Sequence, residues 1–248
     1  MSRILTAMPV YNEIKLIGGV LDQVLEFCPD VLTINDGSTD GTSQYLESRG
    51  DIRLVHHERN RGYGAALRSA FDYAREYGFE ILVTIDADGQ HDPKRIPRFA
   101  TAAETVDIVS GSRYLKEFAE NTPAPLQRRF INQRVTAELN RRLGYHLTDA
   151  FCGFKAYRVE ALKHLDINEN GYAMPLELWV KAAAAKLSVM EIPVPRIYLD
   201  ANRTFGGVLD DAETRLEYYH LVIDRSIAAA EALGGSLRRG TLCGEAAV

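Results

Sequence analysis

Four times in the first 105 residues, a short apolar run rich in β-branched residues ends in a polar loop, and apolar residues at helical spacing follow. Arg3 to Met8 reads as a strand entering Pro9-Val-Tyr-Asn-Glu13, after which Ile14, Ile17, Leu21, Val24 and Leu25 mark a helix with Asn12 as the expected N-cap. Val31 to Asn35 is the second strand, Asp36-Gly-Ser-Thr-Asp-Gly-Thr42 its loop, and a short helix carries Tyr45 and Leu46. Ile52 to His56 and a helix from Gly62 to about Tyr77 form the third unit; Ala65, Ala66, Ser69, Ala70 and Ala74 give that helix a small-residue face for close packing on a sheet. Ile81 opens the fourth strand, and Pro93 to Thr105 is its helix. Parallel strands need crossovers, usually helical, so this alternation predicts an α/β fold with a mostly parallel sheet and flanking helices. Ligands in such folds bind beyond the carboxyl ends of the strands. The loops Pro9 to Glu13, Asp36 to Thr42 and Asp86 to Asp92 all follow strands, so one sheet edge collects them.

The fourth loop carries the most specific chemistry. In Ile81-Leu-Val-Thr-Ile-Asp-Ala-Asp-Gly-Gln-His-Asp-Pro93 the buried strand stops abruptly in carboxylates, a glycine and an amide. Alternation along a strand lets Asp86 and Asp88 leave on one side, with Gln90 a step further. Three oxygen ligands then converge, and hard oxygen donors suit Mg²⁺ or Mn²⁺ bound together with substrate phosphates and water. An Asp-rich turn can equally end a strand and cap the helix beginning at Pro93, and these residues alone leave both readings open.

After Asp107-Ile-Val-Ser-Gly-Ser-Arg-Tyr114, read as a strand and its exit loop, the pattern changes. A long helix follows Pro125, with Leu126, Phe130, Ile131, Val135, Leu139 and Leu143 roughly on one face. It also carries Arg128, Arg129, Arg134, Arg141 and Arg142 against the single acid Glu138. Such a helix can lie on a membrane surface, meet an anionic acceptor, or simply present a solvated basic face. Thr148 to Arg158 is a loop entering a short strand, with a helix from Val159. Pro175 to Lys186 is helical, Ser188 to Val194 a strand, and about Leu209 to Ala230 the last helix. The expected organisation is one domain over 1–234 with a flexible tail over 235–248.

Charge and cysteine content narrow the classes. A net charge of −5 gives no support for nucleic-acid binding, and Cys28, Cys152 and Cys243 suggest neither a disulfide framework nor a zinc site. No apolar run reaches the roughly 18 to 20 residues that span a bilayer, and no signal-peptide pattern opens the chain. The expected location is cytoplasmic, with any membrane contact peripheral.

Six stretches in order resemble the inverting family 2 glycosyltransferases of the GT-A fold, a Rossmann-like architecture, and most of all the dolichyl- or polyprenyl-phosphate sugar synthases. They are Pro9-Val-Tyr-Asn-Glu13, Asn35 to Thr42, Asn60-Arg-Gly-Tyr-Gly64, Asp86-Ala-Asp-Gly-Gln90, Gly111-Ser-Arg-Tyr114 and Gly153-Phe-Lys-Ala-Tyr157, and they cover the chain from about Met8 to Pro195. The resemblance implies a nucleoside diphosphate sugar donor, GDP- or UDP-linked. Pro9, Tyr11, Glu13, Asp36, Gly64, Asp86, Ala87 and Arg203 would line it, with Asp36 accepting a hydrogen bond from the base. Gly62 and Gly64 would let the backbone approach the ligand. Asp88 and Gln90 match metal ligands, Asp86 a residue beside the metal and ribose, and Arg113 a basic residue facing the phosphates or the acceptor.

The implied acceptor is polyprenyl or dolichyl phosphate, whose oxygen is already anionic. A saccharide, small-molecule or protein hydroxyl would instead need a general base, for which Asp149 and Glu177 are the candidates. Either carboxylate can also be a loop or helix-end group satisfied by backbone N–H groups. One departure bears on this choice: the synthases carry Arg and then Gly-x-Ser-Lys, whereas this chain has Asn202-Arg-Thr-Phe-Gly-Gly-Val208 without the Ser-Lys pair. A nucleotide-sugar-binding protein without turnover is a third reading, against which intact Asp86, Asp88, Gln90 and Arg113 argue.

Overall fold

The computed structural model describes residues 2–199 and 207–233. Seven strands form one mixed sheet: β1 (Ile4–Val10), β2 (Val31–Asn35), β3 (Arg53–His56), β4 (Ile81–Thr84), β5 (Ile108–Ser112), β6 (Lys155–Arg158) and β7 (Val189–Pro193). Their spatial order is β3-β2-β1-β4-β6-β5-β7. Only β6 runs against its neighbours, antiparallel to both β4 and β5. The α/β architecture read from the alternation is therefore present, and the single reversed strand places β5 next to β7 on the far side of β6.

Period-two alternation divides the core into two layers. Leu5, Ala7, Leu32, Ile34 and Leu82 point to one face, whereas Met8, Val10, Ile81, Val83 and Ile85 point to the other. The helices α1 (Ile17–Leu25) and α4 (Ile96–Ala103) cover the second face, and α3 (Tyr63–Glu76), α5 (Leu126–Leu143), α6 (Met174–Ala184) and α7 (Ala212–Ala232) cover the first. A short α2 (Thr42–Glu47) follows the second loop. The small face of α3 lies on the sheet, with Ala66, Ala70 and Ala74 at most 1% exposed. A leucine at Ala70 would overpack that contact at a cost of about 1–3 kcal/mol.

Several local expectations change. Asn12 does not cap α1, which begins at Ile17; it has φ 55° and bonds to the second loop instead. The helix expected from Pro93 starts as a 3₁₀ turn, Pro93–Arg95, capped by Asp92, and the one expected from Val159 is a 3₁₀ segment, Val159–His164. Leu126 and Phe130 leave the buried stripe of α5 and are 84% and 57% exposed, while Ile131, Val135, Leu139 and Leu143 stay buried. β1 extends past its pairing with β4, which ends at Ala7, so Pro9 lies in an overhang where its missing N–H costs no bond to β4. The expected tail and Arg203 fall outside the described residues. No described helix is long and apolar enough to cross a membrane.

Candidate active site

At the carboxyl ends of β1, β2 and β4 the loops are tied into one wall. Asn12 Oδ1 accepts the Thr39 N–H at 2.7 Å, Asn12 N–H reaches Ser38 Oγ at 3.0 Å, and Glu13 N–H reaches Thr42 Oγ1 at 3.0 Å. Asp36 is buried at 3% exposure, yet it forms part of the cavity wall. Its Oδ1 accepts the Arg61 N–H at 2.9 Å and its Oδ2 the Gly62 N–H at 2.8 Å, locking the second loop to the start of α3. His57 Nδ1 lies 2.6 Å from Asp36 Oδ1. A carboxylate only accepts, so that nitrogen carries the proton and Nε2 faces the Ser69 hydroxyl at 2.8 Å. Residue-type pattern alone did not pick out His57.

Gly64 has a different role from the one expected. A Cβ there would stand 2.2 Å from the Glu169 carbonyl oxygen and 2.8 Å from Met174 Cβ, so its smallness serves the packing of α3 against the 169–170 loop. Gly64 is not on the cavity wall, whereas Gly62 is.

The cavity, about 550 Å³, places Asp86, Ala87, Asp88 and Gln90 at the end of β4, the middle of the sheet. Asp86 Oδ1 accepts from the Tyr63 hydroxyl at 3.1 Å, and its backbone N–H donates to His91 Nδ1 at 3.2 Å. His91 Nε2 lies 3.8 Å from Asp86 Oδ2. Burial pushes the Asp86 carboxyl up, and His91 opposes the rise. Behind Asp86 stands Gly153, where a Cβ would meet Oδ2 at 2.4 Å; only glycine leaves room for this carboxylate. Asp88 Oδ1 accepts the Gln90 N–H at 3.0 Å in a tight turn through Gly89. Two carboxylates and an amide oxygen are hard donors fit for Mg²⁺ or Mn²⁺. Among the described residues no three His, Cys, Asp or Glu form a metal-binding group; Mg²⁺ is usually held by one or two carboxylates together with substrate phosphates and water.

Across the sheet, β5 delivers Arg113 to the cavity. Its guanidinium is paired edge-on with Asp149, which is fully buried and also accepts Asn132 Nδ2 at 2.7 Å and the Phe151 N–H at 3.1 Å. Burial alone would raise Asp149, but the Arg113 charge and these donors bring it down to about 2. The same pairing outweighs burial in Arg113 and keeps it firmly protonated. Asp149 and Glu177, the two candidate bases, are absent from the cavity wall. Glu177 Oε2 instead accepts the N–H groups of Asn168 at 2.9 Å and Glu169 at 2.6 Å, fixing the loop that packs on Gly62 and Gly64.

This side of the cavity is lined by Arg128 and Ile131 of α5, Phe151, Tyr172, and Arg215 and Tyr219 of α7. Arg128 was visible in the sequence only as one of five arginines, and Arg215 gave no signal. Among the described residues, the carboxylates lining the cavity are Glu13, Asp36, Asp86 and Asp88, all on the β1, β2 and β4 loops.

Comparison with known proteins gives a consistent family signal. The model of glycosyl transferase family 2 matches residues 6–166. An undecaprenyl-phosphate mannosyltransferase of Micrococcus luteus is 30% identical over 221 residues, covering 85% of this chain and 90% of that protein. A polyprenol monophosphomannose synthase of Mycolicibacterium smegmatis is 30% identical over 203 residues, covering 77% and 76%. Glucosyl-3-phosphoglycerate synthase of M. tuberculosis has a similar fold, with a TM-score of 0.70 at 18% identity, covering 91% of this chain and 81% of that one.

Proposed function

Because the chain belongs to glycosyl transferase family 2 and is a glycosyltransferase, we propose that it transfers a sugar from a nucleoside diphosphate sugar to polyprenyl or dolichyl phosphate, with inversion. The observation that carries this reading is the division of one cavity into two chemistries. Among the described residues, the β1, β2 and β4 loops supply carboxylates and Tyr11, while α5, α7 and Phe151 supply arginines and aromatic rings without a carboxylate. An anionic head on an apolar tail suits the second wall.

On this reading Pro9, Tyr11, Glu13 and Asp36 hold the nucleoside, Tyr11 through its ring and Glu13 through the ribose hydroxyls. Asp88 and Gln90 would hold Mg²⁺ or Mn²⁺, with Asp86 ligating directly or through water; when bound, the ion supplies Lewis-acid stabilisation of the departing nucleoside diphosphate. Arg113 is clamped by Asp149 and presents its remaining N–H groups to the phosphates. Arg128 and Arg215 receive the lipid phosphate, and Ile131, Phe151 and Tyr219 its first prenyl units. A phosphate oxygen attacks the anomeric carbon opposite the diphosphate. The new carbon–oxygen bond forms as the old one breaks, and the nucleoside diphosphate leaves with the electron pair. The nucleophile is already anionic, so no proton must move.

A hydroxyl acceptor would need a base; the engagement of Asp149 by Arg113 and of Glu177 by the Asn168 and Glu169 N–H groups supports an acceptor that needs none. Exposed Leu126 and Phe130, beside Arg129 and Arg134 on α5, supply an apolar and basic edge for peripheral contact with an anionic bilayer. A radiolabelled-sugar assay over a panel of GDP- and UDP-sugars tests the proposal. Label extractable with polyprenyl phosphate is expected, and label found only on soluble hydroxyl acceptors would overturn it.

A further inference from the structure

One layer behind the Arg113–Asp149 pair lies Glu191 of β7. It occupies the same face of the strand as Val189, a core residue, where packing alone would favour an apolar side chain. Its carboxylate is instead fully engaged by one short loop. Oε2 accepts both the N–H and the hydroxyl of Thr148 at 2.8 Å, and Oε1 accepts the Asp149 N–H at 3.1 Å. The Thr148 hydroxyl also meets Ser112 Oγ at 2.5 Å, and Ser112 Oγ accepts the Tyr114 N–H at 3.2 Å. The loop that carries Asp149 is thus stitched on one side to β7 and on the other to the strand end that carries Arg113.

We propose that Glu191 is a positioning residue for sugar transfer: acting through Thr148 and Asp149, it holds the Arg113 guanidinium in the orientation that meets the substrate phosphates. The proposal rests on the reading of Arg113 as a substrate-facing group. A carboxylate has acceptor sites for all three donors, whereas protonation turns one oxygen into a donor facing N–H groups. Burial pushes Glu191 up to about 7, Thr148 and Asp149 hold the rise back by donating, and the Asp149 charge adds to it. The charged groups on this side are Asp149, the buried Lys155 of β6, which shares a register line with Glu191 through Ser110, and, beyond Asp149, Arg113. Turnover therefore rises as pH passes upward through about 7.

The test combines kinetics with a direct reading of the guanidinium. Exchange of the Arg113 Nε–H, followed by ¹⁵N NMR, is slow in the wild type and accelerates in Glu191→Gln. The same variant loses roughly 10- to 100-fold in kcat, by analogy with the loss when an outer hydrogen bond that orients a metal ligand is removed. It keeps its affinity for UDP or GDP within about twofold, and the wild-type kinetic limb near pH 7 disappears. In an Arg113→Ala background the substitution costs no further activity, because the residue it acts through is gone. Thr148→Val, which removes one donor and leaves Glu191 in place, gives a smaller change in the same direction and keeps the test open if Glu191→Gln fails to fold. Unchanged Nε–H exchange, or a kcat loss that adds in full to that of Arg113→Ala, would overturn the proposal. Faster exchange with undiminished turnover would instead sink the substrate-facing reading of Arg113 while sustaining the positioning contact.

Discussion

Arg113 and Asp149 meet edge to edge, Nε to Oδ2 at 2.6 Å and Nη2 to Oδ1 at 2.9 Å, with the carboxylate fully buried. A carboxylate held this way orients a cation and does not take a proton from an acceptor. Asp149→Ala leaves the Arg113 guanidinium, 18% exposed at the cavity wall, without its partner, for which the expected loss is at most about 3 kcal/mol, the low end for a buried pair, read from urea unfolding. Arg113→Lys keeps the charge but not the fork, so it should fold and still lose turnover.

The same pair sets an acid limit. Asp149 is held at about 2 in the fold against an ordinary value of 3.8, so the unfolded chain binds its proton first as pH falls. This contribution is complete above about pH 4 and is lost as pH approaches 2; the shift corresponds to roughly 2 kcal/mol. The difference in unfolding free energy between wild type and Asp149→Asn should therefore shrink by about that amount from pH 5 to pH 2. A difference that stays constant over this interval would contradict the assignment.

Gly153→Ala puts a Cβ 2.4 Å from Asp86 Oδ2. Either the carboxylate or the 153 backbone must give way, and Asp86 stands at the solvent-facing end of β4. The expected outcome is a folded protein with weakened Mn²⁺ affinity in the presence of UDP or GDP, measured by calorimetry. Intact Mn²⁺ binding would remove Asp86 from the metal site.

Much of this was legible in order along the chain. Strand and helix periods differ enough that the βα units from Arg3 to Thr105 could be read directly, and the rule that loops gather at the carboxyl edge brought Tyr11, Asp36 and Asp88 to one site. The Arg113–Asp149 bond was not legible, because it joins residues 36 positions apart through the neighbouring β5 and β6. Asp149 and Glu177 were recognisable as carboxylates, but their donors come from the tertiary fold. Asn12 had the residue type of a cap, yet its bonds go to the adjacent loop, and the space around Gly64 is set by the distant Glu169 carbonyl. The helical spacing of Leu126 and Phe130 does not reveal that α5 overhangs the core at its start.

That overhang predicts how the enzyme meets its acceptor. Leu126→Glu with Phe130→Glu should abolish flotation with vesicles containing anionic lipid and polyprenyl phosphate, while thermal stability and nucleotide binding stay near wild type. Salt should weaken wild-type flotation, since the flanking arginines contribute through screened attraction. Undiminished flotation of the double variant would move the contact to another surface.

The most direct measurement is transfer of radiolabelled sugar to polyprenyl phosphate, compared with the same polyprenol lacking phosphate and with soluble hydroxyl acceptors, each with and without EDTA. The account predicts organic-extractable label only with the phosphate and only without the chelator. Label on the polyprenol or on soluble hydroxyl acceptors, with none on the lipid phosphate, would contradict it.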